Sequence, residues 1–174
     1  RLPLTNYGLE FINPPASMAH PFDDGTAVLL HRSVELTAET LGRDAQAYTQ
    51  LIGPFVERWD YLAEDLLSPP GIPRHPIKLA RFGFYGIRSA KSLAQGLFSE
   101  EKTRAFFAGL AAHSFLSLDM LASGAFALVM ATVGHAIGWP IVRGGSQRIS
   151  DALASYLKDQ GGQIFTEVRV NSID

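Results

Sequence analysis

The chain has 174 residues, 47% of them hydrophobic and 18% charged, with a net charge of -2; its size suits one folded domain. Average globular chains carry about 25% charged residues, so this composition excludes intrinsic disorder, and 15 basic against 17 acidic residues leave no electrostatic footprint for a nucleic-acid partner. The absence of cysteine excludes disulfides, thiolate nucleophiles and cysteine-ligated metals while leaving the compartment open.

The run Tyr7-Gly8-Leu9-Glu10-Phe11-Ile12 reads as a first strand stopped by Asn13-Pro14-Pro15, because proline cannot continue a ladder. Asp23-Asp24-Gly25 signals a turn, and Thr26 to His31 reads as a second strand, expected to meet the first in antiparallel fashion. Ser33 is a candidate N-cap for a short helix to about Leu41, with Glu35 favourably placed in its first turn and Gly42 ending it. From Asp44 to Leu67, the residues Leu51, Phe55, Trp59, Leu62 and Leu66 recur at steps of three and four, which predicts a buried helical stripe. Gly53-Pro54 predicts a kink or restart inside it.

The breaker cluster from Ser68 to Pro73 is followed by Pro76, which opens a helix toward Phe98. Its stripe fades at Phe82-Gly83-Phe84-Tyr85-Gly86, where each glycine weakens a helix by about 1 kcal/mol relative to alanine. Another helix is expected from Ser99 to about Ala112. Phe115 to Ile137 is almost uniformly apolar apart from Asp119 and His135, which predicts a helix buried on all sides. Abundant small residues and missing basic flanks favour a core helix over a membrane span. Ser123, Ala127 and Ala131 form a low-relief stripe for a closely packed helix or a flat apolar ligand. Gly138 to Gly145 cannot be helical throughout; Ser146 is expected to cap a helix whose Ile149, Ala152, Leu153, Tyr156 and Leu157 face inward. Gly161-Gly162 ends that helix, and Gln163 to Val170 follows as a strand.

The fold class is therefore α+β and predominantly helical. Residues 1–32 form a strand pair, 33–137 a helical body, and 138–174 a Gly-Gly turn, a helix and a strand. Opening at Arg1 without an initiator Met or apolar leader, and stopping just after a strand-like run, the chain reads as a single domain excised from a larger protein.

Few side chains carry chemistry. Gly144, Gly145 and Ser146 precede a helix N-terminus, whose amides and positive dipole end suit an anion or a cofactor edge, although an ordinary capped turn has the same residues. The positions that would complete a dinucleotide fingerprint hold Ser146 and Ile149. His113 and His135 are candidates for a base or for a satisfied backbone contact, and a helix C-terminus would favour the charged form of His135. His20, Asp23 and Asp24 are metal-ligand types surrounding a turn, which reads as a solvated loop. Asp119 needs a cap, an arginine or solvent. Neither Ser114 nor Ser117 sits in a nucleophile elbow.

The run Gly138-Trp139-Pro140-Ile141-Val142-Arg143-Gly144-Gly145-Ser146-Gln147, then Asp151-Ala152-Leu153-Ala154, Gly161-Gly162-Gln163-Ile164 and Val170-Asn171-Ser172-Ile173, resembles phytoene-desaturase-like FAD-dependent oxidoreductases, relatives of the flavin amine oxidases. Ala19-His20-Pro21, Leu79 to Gly83 and Ala112-His113-Ser114 resemble the phytoene dehydrogenase-related branch. The resemblance implies the middle, substrate-binding cap segment of such an enzyme and its return to the FAD domain. It implies FAD as cofactor of the larger protein, Val170 near the adenine region, and Gly144-Gly145 near the join of cap and flavin domain. No catalytic residue is implied. The expected substrate is an apolar small molecule, with Phe82, Phe84, Tyr85 and Trp139 as candidate lining groups. A different reading of the same apolar helices is a non-enzymatic module that binds lipid or a membrane surface through Phe115 to Ile137, or forms an oligomer interface.

Overall fold

The computed structural model describes residues 2–69 and 71–173, with about 53% of the chain in helices and few strands. The α+β, mainly helical class expected from the sequence is what the chain adopts. The chain divides into two compact units: Pro15–Trp139, and a second formed by Arg1–Pro14 with Pro140–Asp174.

In the larger unit, β2 (Ala16–Pro21) and β3 (Ala27–His31) form an antiparallel hairpin, preceded in the chain by β1 (Phe11–Ile12) of the other unit. The second expected strand is present, but its partner is Ala16–Pro21 rather than the first stretch. Asp23-Asp24-Gly25 brings adjacent segments together through the Phe22 to Thr26 amide–carbonyl bond of 2.9 Å, so the closest strand in sequence wins the pairing. Asp24 also accepts from the Thr26 amide at 3.0 Å and from Lys102 at 2.6 Å, so its carboxylate is engaged by the turn and by a later helix.

Helix α1 (Val34–Glu39) begins where expected, with the Ser33 hydroxyl accepting the Leu36 amide at 3.1 Å. α2 (Ala45–Val56) runs through Pro54, and the break falls at Glu57-Arg58, before α3 (Trp59–Leu66). The proline removes only its own amide from the ladder. Leu51, Ile52 and Phe55 are buried on both sides of it, and that packing keeps the helix whole across the expected kink.

The expected Pro76–Phe98 helix is two helices, α4 (Pro76–Gly86) and α5 (Ala90–Leu97), with Ser89 capping the second by accepting from Ser92 at 3.1 Å. α4 survives its glycines because Gly86 sits against α7 (Ser123–Ala136): a Cβ there would lie 3.2 Å from that of Ala125. α6 (Glu101–Ala112) starts beneath Asp44, a buried carboxylate that accepts from the amides of Ser99 and Glu100, both at 2.8 Å. The Ser99 side chain is not its cap; the acceptor comes from another part of the chain.

α7 is the central helix and shorter than the apolar run that contains it. Phe115 and Ala122 have φ of 58° and 65°, so residues 115–122 turn rather than coil. Asp119 escapes burial in that turn and pairs with Lys91 at 3.0 Å. Fourteen residues rise about 21 Å, and among the described residues no helix is long and apolar enough to cross a membrane. Ser123, Ala127 and Ala131 are fully buried, so the low-relief stripe is a helix-packing surface.

In the smaller unit, β1 pairs antiparallel with β4 (Ile141–Val142), Phe11 facing Val142 and Ile12 facing Ile141. Arg143 donates its amide to Glu10 at 2.9 Å and its guanidinium to the Glu10 carboxylate at 2.8 Å. α8 (Gln147–Asp159) packs its Tyr156 edge-on against Tyr7, whose hydroxyl donates to Asp159 at 2.6 Å. Of its expected inward face, Ala152 is buried and Ile149, Leu153 and Leu157 stay partly exposed. Gly161 has φ +83° and closes the helix with the Gly162 amide on Leu157 at 2.9 Å and the Gly161 amide on Lys158 at 3.0 Å, the paired bonds of a Schellman ending. The expected strand from Gln163 to Val170 is not formed. Among the described residues 163–173 are exposed and in no ladder, and strand propensity without a partner strand gives no strand.

Candidate functional site

Three helices of the larger unit enclose an apolar groove of about 230 Å³. Trp59 and Leu66 come from α3, with Leu67 just beyond its end; Phe82 comes from α4, and Ala125, Phe126 and Val129 from α7. The helical stripe that buries Trp59 and Leu62 turns Leu66 toward the rim, while Leu67 and Phe126 are 74% and 44% exposed and form the mouth. No residue that lines it is ionisable. The groove offers an open apolar wall to hydrocarbon and no ionisable side chain for acid–base chemistry.

Of the expected lining groups, the structure brings Phe82 alone to this groove. Phe84 projects into solvent, Tyr85 packs edge-on against Phe55, and Trp139 meets His113 with ring centroids 5.9 Å apart. Trp59 and Leu66 stood on the sequence's buried stripe, whereas Leu67, Phe126 and Val129 carried no signal beyond being apolar.

The buried polar cluster of this unit lies at the other end of α7. The Tyr48 hydroxyl is 2.8 Å from His135 Nε2, and His135 Nδ1 is 3.3 Å from the carbonyl of Arg32. That carbonyl can only accept, so Nδ1 carries the ring proton and Nε2 accepts from Tyr48. Burial pushes the Tyr48 hydroxyl well above the usual phenol range and lowers the imidazole pKa. The helix-end charge expected to favour protonated His135 is overcome by desolvation. It is also offset by Arg32, whose guanidinium donates to the carbonyls of His135 and Ala136, both at 3.1 Å, and of Ile137. A cation already on the helix C-terminus leaves little negative potential for the ring. His135 is thus a neutral bolt between α2 and α7, while His113 is exposed at the end of α6.

Gly144 and Gly145 have φ of +81° and +93° and form the turn into α8. Ser146 occupies the N-cap position with helical backbone, and its side chain makes no capping bond. The expected serine cap is replaced by tight backbone bonds, Arg148 to Gly145 at 3.2 Å and Ile149 to Ser146 at 3.0 Å. A Cβ on Gly145 would meet nothing within 4 Å, so the turn is open to an approaching group. Val170 is 72% exposed. Among the described residues no group of three or more His, Asp or Glu side chains could hold a metal ion.

Comparison with known proteins finds no matching family model, no matching curated protein and no matching solved structure.

Proposed function

We propose that Pro15–Trp139 is the substrate-binding cap of an FAD-dependent oxidoreductase of the phytoene-desaturase-like type, which dehydrogenates an apolar substrate. The observation that carries this reading is the pairing of β1 with β4. The chain leaves a small strand-bearing unit after Pro14, builds a helical unit, and returns at Pro140 to a strand hydrogen-bonded beside the one it left. That is the connectivity of an insertion, here of the helical unit into the smaller strand-bearing one, and it supports the resemblance around Gly144-Gly145.

A flavin bound by such a body accepts hydride from carbon, and the cap's contribution is a dry, shaped wall. Trp59, Leu66, Phe82 and Val129 would supply that wall, with Leu67 and Phe126 at its entrance. The open turn at Gly144-Gly145 suits close approach of a cofactor edge, and the unpaired backbone around Val170 is free to hydrogen-bond one. No dinucleotide fingerprint lies in these residues, so the chain alone is expected to bind flavin weakly or not at all.

Two measurements test the reading. The gene product bearing this sequence, purified from its own cells, should show flavin absorbance; a colourless, flavin-free product refutes the assignment. The chain itself should enhance the fluorescence of cis-parinaric acid, a linear polyene. Leu67→Asp with Phe126→Asp should abolish that enhancement, because both side chains sit at the exposed mouth, and retained binding would place the apolar ligand elsewhere.

A further inference from the structure

From Leu66 to Ser99 the chain holds five of its 15 basic residues and none of its 17 acidic ones. α4 lies in the middle of this stretch and is apolar on two faces. Phe82 and Gly86 point into the core. On the opposite side Ile77, Ala80, Phe84 and Ile87, at steps of three, four and three, form an outward stripe in which Ile77 is 86% exposed, Phe84 68% and Ile87 64%. Ordinary surface helices show water a polar face.

The nearby cations are of two kinds. Arg74 lies 3.9 Å from Glu64, and Lys91 pairs with Asp119. Lys78, Arg81 and Arg88 have no carboxylate partner among the described residues: Lys78 lies over the Tyr61 ring, Arg81 faces Phe55, and Arg88 reaches Ser92. An exposed apolar stripe bordered by unpaired cations, on a chain that is net acidic, matches an anionic lipid surface in both charge and hydrophobicity. We propose that α4 is an interfacial helix that lies in the plane of an anionic bilayer, sinking Ile77, Phe84 and Ile87 among the acyl chains while Arg81 and Arg88 meet lipid phosphates. The surface is distinct from the Phe115–Ile137 run, whose helix buries Ala127, Leu128 and Ala131 in the core and turns Phe126 to the groove. The proposal does not depend on a flavin.

The test is co-sedimentation of the 174-residue chain with vesicles of phosphatidylcholine alone, and of phosphatidylcholine with one-third phosphatidylserine, at low and high salt. Binding should favour the anionic vesicles by about tenfold or more and weaken with salt, since each cation near such a surface contributes about fivefold in affinity. Arg81→Gln with Arg88→Gln should lower binding to anionic vesicles about 25-fold on the same basis. Ile77→Ser, Phe84→Ser and Ile87→Ser together should abolish binding to both, with circular dichroism unchanged because the three side chains project into solvent. Phe115→Ser with Leu121→Ser should bind as the parent does. Absence of sedimentation with anionic vesicles overturns the proposal. So does loss of binding in the Phe115/Leu121 variant alone, or a concentration-dependent dimer, seen by light scattering, that the triple variant disperses while the parent ignores vesicles.

Discussion

Protonation of His135 decides whether burial or the helix end governs this residue. Its folded pKa lies below the ordinary value near 6.5 because burial disfavours the imidazolium. Between that folded value and about 6.5 the unfolded chain therefore holds one more proton than the folded one, and stability falls as pH falls. The slope is about 1.4 kcal/mol per pH unit for one proton; it vanishes above about 6.5 and again below the folded pKa. The charged and titratable groups around the ring are Arg32, Glu35 and Tyr48, with Glu57 and Asp60 lining the cleft that His135 also borders. Glu35 is held below the usual carboxylate range chiefly by the Ser33 hydroxyl, and Tyr48 titrates far above neutrality, so neither changes charge in the same window. Urea denaturation followed by circular dichroism, from about pH 8 to about pH 5 around the histidine range, should show the parent losing stability on the acid side. His135→Asn, which cannot titrate, should be less stable near neutrality by about 1–3 kcal/mol for the lost Tyr48 bond. Its deficit should shrink as pH drops. A deficit constant across the range would refute neutral burial, and a deficit that grows toward acid would show that the helix terminus holds the charged form.

Three further outcomes follow from the packing. Asp44→Ala removes the acceptor of two partly buried amide bonds at the start of α6 and should cost about 3 kcal/mol, at about 1.5 for each bond to a charged group; a loss under about 1 kcal/mol in chemical denaturation would refute that role. Gly161→Ala places a Cβ on a residue at φ +83° and should cost about 1–2 kcal/mol, visible as faster amide exchange in the last turn of α8; an unchanged exchange rate would contradict the Schellman ending. Arg32→Met keeps the aliphatic stem but releases three carbonyls at the end of α7, so thermal stability should fall and the folded pKa of His135, read by NMR, should rise as the nearby cation disappears. A His135 pKa that stays put or falls would remove the electrostatic account of Arg32.

Local grammar was written plainly in the residues. Ser33 caps a helix from the β region, Gly161 closes one in the left-handed region, and the Leu51, Phe55, Trp59, Leu62 stripe is buried; each is legible from interactions within a turn or two of chain. The order of helical and strand patterns along the chain likewise sufficed for a predominantly helical α+β class. The break capped by Ser89 and the uncapped Ser146 are local features that the residues did not disclose; the other misreadings fell where a distant partner decided the result. Phe11–Ile12 pairs with residues 141–142 because hydrogen-bonded edges are matched in space, and nothing in either segment names the other. Pro54 stays helical because neighbours are packed around it, and the Gln163–Val170 run forms no ladder because strand formation needs a second chain segment. The candidate groove was half visible: Trp59 and Leu66 lay on a recognisable face and Phe82 was a candidate lining group, but only tertiary packing of α3, α4 and α7 set them around one space with Phe126 and Val129. His135 shows the same division. Sequence placed it at a helix end, where the dipole favours charge; the fold buried it beside Tyr48 and put Arg32 on the carbonyls, and desolvation, which depends on what surrounds a group, outweighed what its own helix supplies.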